Sequence, residues 1–227
     1  MEAKDWDARY AAERQWSIEP NRWVVHELST LVPGRALDVA CGEGRNAIWL
    51  AEQGWSVLGV DYSQQALDRA VEAAALAQAK AAEPLDLEWE RRDITERDGM
   101  AGQFDLVLCC YLHLVPYERT PVFRAAAGAV APGGTLLVIG HDSTNLEEGY
   151  GGPKDLEVLF TAQDVDADLR DIVSSGSWEV ERSSRVAREV ETDLGPKVAW
   201  DALYRARRPD RSKDELTFAL PAEQPAD

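Results

Sequence analysis

The chain has 227 residues, of which 45% are hydrophobic and 29% are charged, a balance typical of a soluble globular protein. Its 41 acidic and 24 basic side chains give a formal net charge of −17, and because such a surface repels phosphate backbones we expect no nucleic-acid partner. We also expect no membrane partner, because no run of about 18 apolar residues is present. The charged, aromatic start lacks a signal-peptide core, which favours a cytoplasmic location.

The cysteines indicate neither disulfides nor a metal. Cys41, Cys109 and Cys110 are too few for a disulfide framework. Cys109, Cys110 and His113 form the pattern C-C-x-x-H, which differs from the C-x-x-C pairs typical of zinc sites. We therefore expect no metal site.

Two helices are predicted before the first strand, over residues 6–15 and 20–31. The second has apolar residues at helical spacing and ends at the VPG of residues 32–34. We expect one domain over residues 1–208, with a helical lid at 1–33 and a core at 34–208. Residues 209–227 are charged and contain proline, which predicts a mobile tail.

Short apolar runs then alternate with helical segments. A helix is predicted over residues 46–53, and Ser63 can cap a second, alanine-rich helix. The predicted strands cover residues 36–40, 57–60, 85–93, 104–110 and 135–140. This alternation predicts an α/β fold with a doubly wound, mostly parallel sheet covered by helices on both faces.

The end of the chain has a different pattern. Residues 178–190 (WEVERSSRVAREV) and 197–208 (KVAWDALYRARR) both alternate and are joined by a turn-like ETDLGP. They predict an antiparallel hairpin added to the edge of the sheet, which brings it to seven strands.

A glycine-rich stretch lies between the first predicted strand and helix. Gly42 and Gly44 belong to GEGRNA, which fits the dinucleotide pattern G-x-G-x-x-G/A, although that pattern is common by chance. Asp61 ends the second strand, where a carboxylate can accept the ribose hydroxyls of an adenosine. Asp38 lies just under the loop, where it would repel a pyrophosphate but suit an ammonium group. S-adenosylmethionine has an adenosine and an ammonium and no phosphate.

On these residues the chain resembles the class I S-adenosylmethionine-dependent methyltransferases. DVACGEG at 38–44 matches the acidic residue and glycine-rich loop of that family, and Asp61 and Asp93 match its acidic residues after the second and third strands. PGG before the fifth strand and the terminal hairpin complete the pattern, which covers residues 36–139 and implies a Rossmann-like methyltransferase fold. Ala40 stands where glycine is common, and we expect alanine to be tolerated unless the position needs a positive φ angle.

The resemblance implies S-adenosylmethionine as the cofactor. It assigns Asp61 to the ribose, Asp93 to the adenine amino group and the Ile94 backbone to a ring nitrogen. Arg45 or Arg9 is placed to pair with the methionine carboxylate. The expected cofactor-binding residues are Trp6, Arg9, Tyr10, Asp38, Ala40, Cys41, Gly42, Gly44, Arg45, Asn46, Asp61, Tyr62, Ser63, Arg92, Asp93, Ile94 and Cys109.

Three residues near the ends of the fourth and fifth strands are candidate catalytic residues. Tyr111 and His113 follow the fourth strand and His141 follows the fifth, on the edge where open α/β sheets bind ligands. Histidine is the natural general base near pH 7, and Asp142 could orient His141. The polar, glycine-rich segment 141–153 is expected to be irregular and to act as an acceptor loop.

These features predict methyl transfer from S-adenosylmethionine to a small-molecule acceptor. The Gly-Arg-Asn loop resembles tellurite-resistance methyltransferases, and the 141–153 segment resembles thiopurine methyltransferases, which favours a soft sulfur, selenium or tellurium acceptor. O- or N-methylation of a small metabolite is the alternative. An NAD-type oxidoreductase and a non-catalytic S-adenosylmethionine-binding protein are further alternatives, and the sequence leaves the oligomeric state open.

Overall fold

The computed structural model of the protein describes residues 19–96, 100 and 102–210. The helix predicted over residues 6–15, with Trp6, Arg9 and Tyr10, lies outside the described residues, as does most of the predicted tail. The division into a lid and a core therefore stays a prediction.

One sheet organises the described chain. Its strands are β1 (Arg35–Val39), β2 (Ser56–Asp61), β3 (Leu87–Arg91), β4 (Phe104–Cys110), β5 (Val130–His141), β6 (Glu179–Val190) and β7 (Lys197–Arg207). They lie in the order β3-β2-β1-β4-β5-β7-β6. The first five run parallel, and β7 pairs antiparallel with both β5 and β6. The predicted α/β fold with an antiparallel C-terminal hairpin is confirmed.

Helices cover both faces of this sheet. They are α1 (Arg22–Leu28), α2 (Arg45–Glu52), α3 (Gln64–Gln78), α4 (Pro116–Ala129), α5 (Asn145–Glu148), α6 (Ala162–Asp168) and α7 (Arg170–Ile172), with a 3₁₀ turn at Leu156–Val158 and a wider turn at Val173–Ser177. Side-chain caps explain where two of them begin. Asn21 Oδ1 accepts the Trp23 N–H at 2.8 Å, and Ser63 Oγ accepts the Ala66 N–H at 3.2 Å, as predicted for Ser63.

The sheet core has two faces, and β4 shows both. Val107 and Cys109 pack on one face against residues of α4 and α6, whereas Leu106 and Leu108 pack on the other against α1 and α2. All four are fully buried. This two-sided burial explains why the β4 sequence is an almost continuous apolar run.

The strand order reverses between β1 and β4, at the centre of the sheet. The chain leaves β1 towards β2 on one side and later returns to β4 on the other side. In open α/β sheets, ligands bind outside the carboxyl ends of the strands at such a switch point. The glycine loop after β1 and the residues after β4 therefore lie at the same edge.

Two boundaries near this edge differ from the prediction. β5 runs through His141, so that His141 is the last residue of the strand rather than the first residue of a loop. Its position is fixed by the antiparallel ladder with β7, where it lies directly opposite Asp201. The segment 141–153, predicted to be irregular, contains the short helix α5. Both differences arise from pairing and turn contacts beyond the apolar run on which the prediction rested.

Trp89 of β3 packs against two glycines. A Cβ on Gly44 would lie 2.5 Å from Trp89 Cη2 and 3.0 Å from Ala70 Cβ, and a Cβ on Gly59 would lie 2.5 Å from Cζ3 of the same indole. Gly44 also has a φ of 79°, which L side chains rarely adopt. Packing and backbone conformation therefore both require glycine at position 44.

Gly44→Ala should lower the free energy of unfolding by about 2–5 kcal/mol, because a left-handed alanine costs roughly 1–2 kcal/mol and overpacking about 1–3 kcal/mol. Gly195→Ala is the matched control, because Gly195 has a φ of 94° but no heavy atom within 4 Å of the Cβ position. Urea unfolding measures both variants. Equal losses in the two would contradict the steric role of Trp89.

Candidate active site

The loop after β1 contains three left-handed residues. Ala40, Gly42 and Gly44 have φ angles of 55°, 56° and 79°, and the Gly44 N–H donates to the Cys41 carbonyl at 3.0 Å. The alanine that departs from the family pattern thus lies at a positive φ, where it costs roughly 1–2 kcal/mol relative to an unstrained backbone. The loop holds Ala40 in this conformation at that cost.

Asp38 lies beneath this loop with a carboxylate that is only partly hydrogen-bonded. It is 1% exposed, and its Oδ2 has no hydrogen-bond partner in the part of the chain that the structure describes. Burial raises the pKa of Asp38 to about 7, while Arg45 lowers it and Asp61 raises it. An unpartnered buried carboxylate oxygen is costly unless a donor reaches it. The site therefore fits a ligand that brings an ammonium group to Asp38.

Asp61, at the end of β2, is hydrogen-bonded to the loop that follows β1. Its Oδ2 accepts the Gly42 N–H and its Oδ1 accepts the Ser63 N–H, both at 2.9 Å. The residue is buried, and each carboxylate oxygen has a second lone pair. Asp61 thus joins the β1 loop to the start of α3 and holds a carboxylate at the same edge as Asp38.

The residues after β3 reach the same edge. Asp93 Oδ1 accepts the Thr95 N–H at 2.9 Å and the Thr95 hydroxyl at 2.6 Å, and Ile94 is buried. The guanidinium of Arg92 pairs with the Glu90 carboxylate at 2.6 Å. Asp93 and Ile94 therefore lie just after β3, where their contact with adenine stays a prediction, while the Arg92 side chain bonds back to its own strand.

Two of the expected cofactor-binding residues have other contacts. Asn46 Oδ1 accepts the Asn21 N–H at 2.9 Å and ties the start of α1 to α2. Cys109 is fully buried in the hydrophobic core, and burial raises the pKa of its thiol. Burial also raises the pKa of Cys41, which lies in the loop itself. The contacts of Asn46 and Cys109 favour structural roles over the predicted cofactor contacts.

Arg45 lies between the loop and the end of β4. Its guanidinium carbon is 6.0 Å from the centre of the Tyr111 ring, and its charge lowers the pKa of Asp38. By contrast, Tyr62, which is also expected at the cofactor, is half-buried, and its backbone carbonyl accepts a hydrogen bond from Arg91 Nε at 3.1 Å. Arg45 is therefore a cation close to both Asp38 and Tyr111.

Three rings stack where β4 and β5 end. The ring centres of Tyr111 and His141 are 4.8 Å apart, and those of His113 and His141 are 5.4 Å apart. Tyr111 has a φ of 61°, a strained conformation for a bulky residue, and its N–H donates to the Ile139 carbonyl at 2.7 Å. The structure thus brings the three predicted catalytic residues together.

His113 is held by backbone groups. Its Nε2 accepts the N–H of His141 at 3.0 Å, and its ring also hydrogen-bonds to the Tyr111 backbone. Burial, and then the neighbouring His141, lower its pKa to about 3, so it is neutral at pH 7. These bonds favour a structural role for His113 over the predicted catalytic one.

His141 keeps a ring nitrogen without a hydrogen bond. Burial, and then Arg188 and Lys154, lower the pKa of His141 to about 4, so it is neutral at pH 7. Its Nδ1 is buried and has no hydrogen-bond partner among residues 19–96, 100 and 102–210, but it lies 3.5 Å from Asp201 Oδ1. A neutral imidazole in this position can accept a proton.

Asp201 of β7 is the acidic group beside His141. It is fully buried, and its Oδ2 accepts the Tyr111 hydroxyl at 3.0 Å and Arg188 Nε at 2.7 Å. Sequence reasoning missed it. One feature of the sequence could have indicated it. Asp201 is an acidic residue in the alternating β7 sequence, and it points to the same side of the sheet as the buried Ala199 and Leu203.

Asp142 does not orient His141, contrary to the prediction. Its Oδ1 accepts the Thr144 N–H at 3.0 Å and the Thr144 hydroxyl at 2.7 Å. Asp142 follows the end of β5, where a short acidic side chain bonds forward to the next backbone N–H groups. The carboxylate beside the imidazole comes instead from the neighbouring strand.

The segment after β5 covers His141. Asn145 joins it to β7, since its Oδ1 accepts the Trp200 N–H at 2.7 Å and its Nδ2 donates to the Gly151 carbonyl at 2.9 Å. Gly152, with a φ of 77°, lies so close that a Cβ would be 2.8 Å from His141 Cδ2. The glycines therefore let this segment pass directly over the imidazole.

Within the described ranges, no helix is long and apolar enough to cross a bilayer. The same residues contain no group of three or more His, Cys, Asp and Glu side chains arranged to hold a metal ion.

Sequence relatives agree with the geometry of the cofactor edge. Residues 36–134 match the family described as a methyltransferase domain. The 2-heptyl-1-hydroxyquinolin-4(1H)-one methyltransferase of Mycobacteroides abscessus is 30% identical over 177 residues, which cover 75% of this chain and 71% of that enzyme. The Bacillus subtilis (strain 168) protein YqeM is 32% identical over 163 residues, which cover 69% of this chain and 58% of YqeM. The chain therefore spans less than two thirds of the length of YqeM.

Solved structures share the fold. The structure reported for the conversion of a disulfide bond into a thioacetal group during echinomycin biosynthesis has a TM-score of 0.71 at 20% identity and covers 99% of both chains. TehB from Haemophilus influenzae has a TM-score of 0.64 at 18% identity, over 83% of this chain and 62% of TehB.

The chain belongs to the class I S-adenosylmethionine-dependent methyltransferases, and S-adenosylmethionine is the cofactor of that family. This assignment removes the NAD-type oxidoreductase from the alternatives, although the G-x-G-x-x-A pattern fits both an oxidoreductase and a methyltransferase.

Asp38→Asn should stabilise the cofactor-free chain at neutral and basic pH. The folded pKa is about 7 against an ordinary value of 3.8, so the folded state binds more protons than the unfolded state between these values. The wild-type chain therefore loses stability as the pH rises from about 4 to about 7. The variant should be more stable by about 2–4 kcal/mol at pH 8, with the difference vanishing near pH 4. Urea unfolding across this range measures it, and a pH-independent difference would contradict the argument.

Proposed function

We propose that this protein transfers the methyl group of S-adenosylmethionine to a hydroxyl oxygen of a small molecule, with His141 as the general base. The observation that carries the proposal is the neutral imidazole at the end of β5, with its Nδ1 3.5 Å from the Asp201 carboxylate. A hydroxyl acceptor loses its proton as the new C–O bond forms. A neutral imidazole is the natural side chain to take that proton.

The cofactor is held by three carboxylates and one loop. Asp38 offers its unpartnered Oδ2 to the ammonium, Asp61 accepts from the ribose hydroxyls, and Asp93 accepts from the adenine amino group. The backbone of residues 40–44 lies along the methionine part, and Arg45 pairs with its carboxylate. When bound, S-adenosylmethionine supplies an electrophilic methyl group on a sulfonium, so the protein has only to align it and exclude water.

The acceptor lies against the stacked rings after β4 and β5. His141 takes the acceptor proton on Nε2 and later releases it to solvent. Burial raises the pKa of Tyr111, so its hydroxyl stays protonated, donates to Asp201 and serves to position the acceptor. Positive charge disappears from the reacting sulfur during transfer, and a site from which water is excluded favours such a step.

Two features outside the site support a small hydroxylated acceptor. The relative from Mycobacteroides abscessus is named for a substrate that carries a hydroxy group. The net charge of −17 disfavours a nucleic-acid substrate.

A soft sulfur, selenium or tellurium acceptor is the second candidate. The fold shared with TehB, and the resemblance of the Gly-Arg-Asn loop to tellurite-resistance methyltransferases, keep it in consideration. Selenite and tellurite arrive as anions, and a thiol is a strong nucleophile through the few per cent of thiolate that it holds at pH 7. Such an acceptor depends little on a general base, so it leaves His141 without a required chemical role. The two candidates therefore differ in what they require of one side chain.

Asp38→Asn should weaken binding of S-adenosylhomocysteine by about 10–100-fold, as expected for loss of one charged hydrogen bond. Calorimetry at pH 8 measures this, and because the variant is expected to be the more stable protein, weaker binding does not reflect unfolding. Asp105→Asn is the matched control, since that exposed side chain is the second residue of β4, at the opposite edge of the sheet, and accepts the Arg35 N–H at 2.8 Å. Unchanged affinity in Asp38→Asn would remove Asp38 from the cofactor site.

His141→Gln should lower the methylation of hydroxyl acceptors by roughly 10²–10⁴-fold and leave the affinity for S-adenosylhomocysteine unchanged. The measurement is release of S-adenosylhomocysteine with phenols, alcohols, carboxylic acids, amines, thiols, selenite and tellurite. His26→Gln is the control, because that imidazole lies exposed on α1.

The panel also decides between the candidates. Wild-type turnover confined to thiols, selenite or tellurite, with no loss in His141→Gln, would overturn the hydroxyl proposal. Cofactor binding without turnover of any acceptor would favour the non-catalytic alternative.

A further inference from the structure

Asp201 connects two side chains that we propose face the acceptor. It lies directly opposite His141 in the β5–β7 ladder, where paired side chains on one face are close neighbours. Its Oδ1 lies 3.5 Å from His141 Nδ1, and its Oδ2 accepts the Tyr111 hydroxyl at 3.0 Å. One carboxylate therefore contacts both rings.

Arg188 of β6 orients this carboxylate. Its Nε donates to Asp201 Oδ2 at 2.7 Å and its Nη2 donates to Oδ1 at 3.3 Å. A two-pronged arginine pair of this kind stabilises the ionised form of a buried carboxyl group. Because an ionised carboxylate has only acceptor atoms, Asp201 presents lone pairs and no proton to His141.

A neutral imidazole carries its proton on one of two nitrogens. The Nδ1 atom of His141 is buried and, in the described part of the chain, has no hydrogen bond, with Asp201 Oδ1 as the charged acceptor beside it. If Nδ1 carried a lone pair, two acceptors would face each other away from water, which is costly. A proton on Nδ1 turns the contact into a charge-assisted hydrogen bond after a shift of a few tenths of an ångström.

We propose that Asp201 is a positioning residue that fixes His141 in the Nδ1–H tautomer and so leaves the lone pair on Nε2 for the acceptor proton. Its catalytic consequence rests on the proposed function, but the tautomer is a property of the chain alone. When His141 takes up a proton, the Asp201 carboxylate also offsets the repulsion from the positive charges of Arg188 and Lys154. The groups facing His141 are Tyr111, His113, Asp201, Arg188 and Lys154.

Asp201→Asn reverses the hydrogen-bond polarity at nearly constant volume. The amide N–H₂ donates, so it can bond to an unprotonated Nδ1 and favour the Nε2–H tautomer. That tautomer has no lone pair on Nε2 and cannot take the acceptor proton there. The substitution thus separates tautomer control from simple packing of the hairpin.

The experiment is ¹⁵N NMR of the full chain, labelled at histidine and saturated with S-adenosylhomocysteine, between pH 6 and pH 8. The chain has only three histidines, and His141→Gln assigns the signal. We expect the Nδ1–H tautomer in the wild type and the Nε2–H tautomer in Asp201→Asn.

Asp166→Asn is the matched control, because it removes a carboxylate of α6 that bonds to the same hairpin. Asp166 accepts the Ser183 hydroxyl at 2.6 Å, and Ser183 pairs with Tyr204, three residues along β7 from Asp201. The tautomer of His141 should be the same in this variant as in the wild type.

A wild-type spectrum with His141 protonated on Nε2 would overturn the proposal, and this outcome does not depend on whether any variant folds. An unchanged tautomer in folded Asp201→Asn would overturn it as well. For a hydroxyl acceptor, Asp201→Asn should lower kcat by roughly 10²–10⁴-fold without changing the affinity for S-adenosylhomocysteine. An Nδ1–H wild type that methylates only thiols would retain the tautomer assignment and reject the hydroxyl acceptor, so the two failures are distinguishable.

Discussion

The constraint around which the β1–β2 edge of the site is built is a buried carboxylate oxygen of Asp38 that has no hydrogen bond within the described residues. Asp38 occupies an inward position of a central strand, where an apolar side chain would stabilise the fold more. Only partial compensation is available, from the charge of Arg45 and the N–H of Ala47. Asp61 then fixes the Gly42 backbone above it. The free chain is therefore less stable than it could be, and the ammonium group of the ligand that we propose for this site recovers the difference.

The acceptor edge has the opposite character, because its charges are paired within the protein. Asp201 is fully buried but bonded to Arg188 and Tyr111, so it needs no ligand. What remains there is a neutral imidazole on His141, which carries no charge to be matched. Arg45 lies between the two edges. On the proposed function, the site thus combines one half that attracts a charged ligand with another that accepts a proton from a neutral one.

The sequence predicted what depends on local pattern. Apolar runs and glycines located the first five strands. The positions of Asp38 and Asp61 at one edge could then be predicted, because the topology fixes where the strand ends meet. Asp201 could not be found this way, since its contact with His141 depends on the register of two antiparallel strands distant in the chain. The prediction for Asp142 was wrong because consecutive side chains at a strand end point to different sides. Proximity in the sequence therefore does not indicate which side chain orients the imidazole of His141.

Two strained residues mark where the two edges meet. Among the residues that the structure describes, Ala40 and Tyr111 are the non-glycine residues with positive φ. Each directly follows one of the two strands beside the switch point, β1 and β4, and such strain costs of order 1–3 kcal/mol per residue. Bonds to Ile139 and Asp201 hold Tyr111 in place against that cost. The sharp turns bring the β1 loop backbone over Asp38 and the Tyr111 ring against His141. The strain therefore lies where the proposed function requires methyl donor and acceptor to be aligned, and relieving it would loosen that alignment.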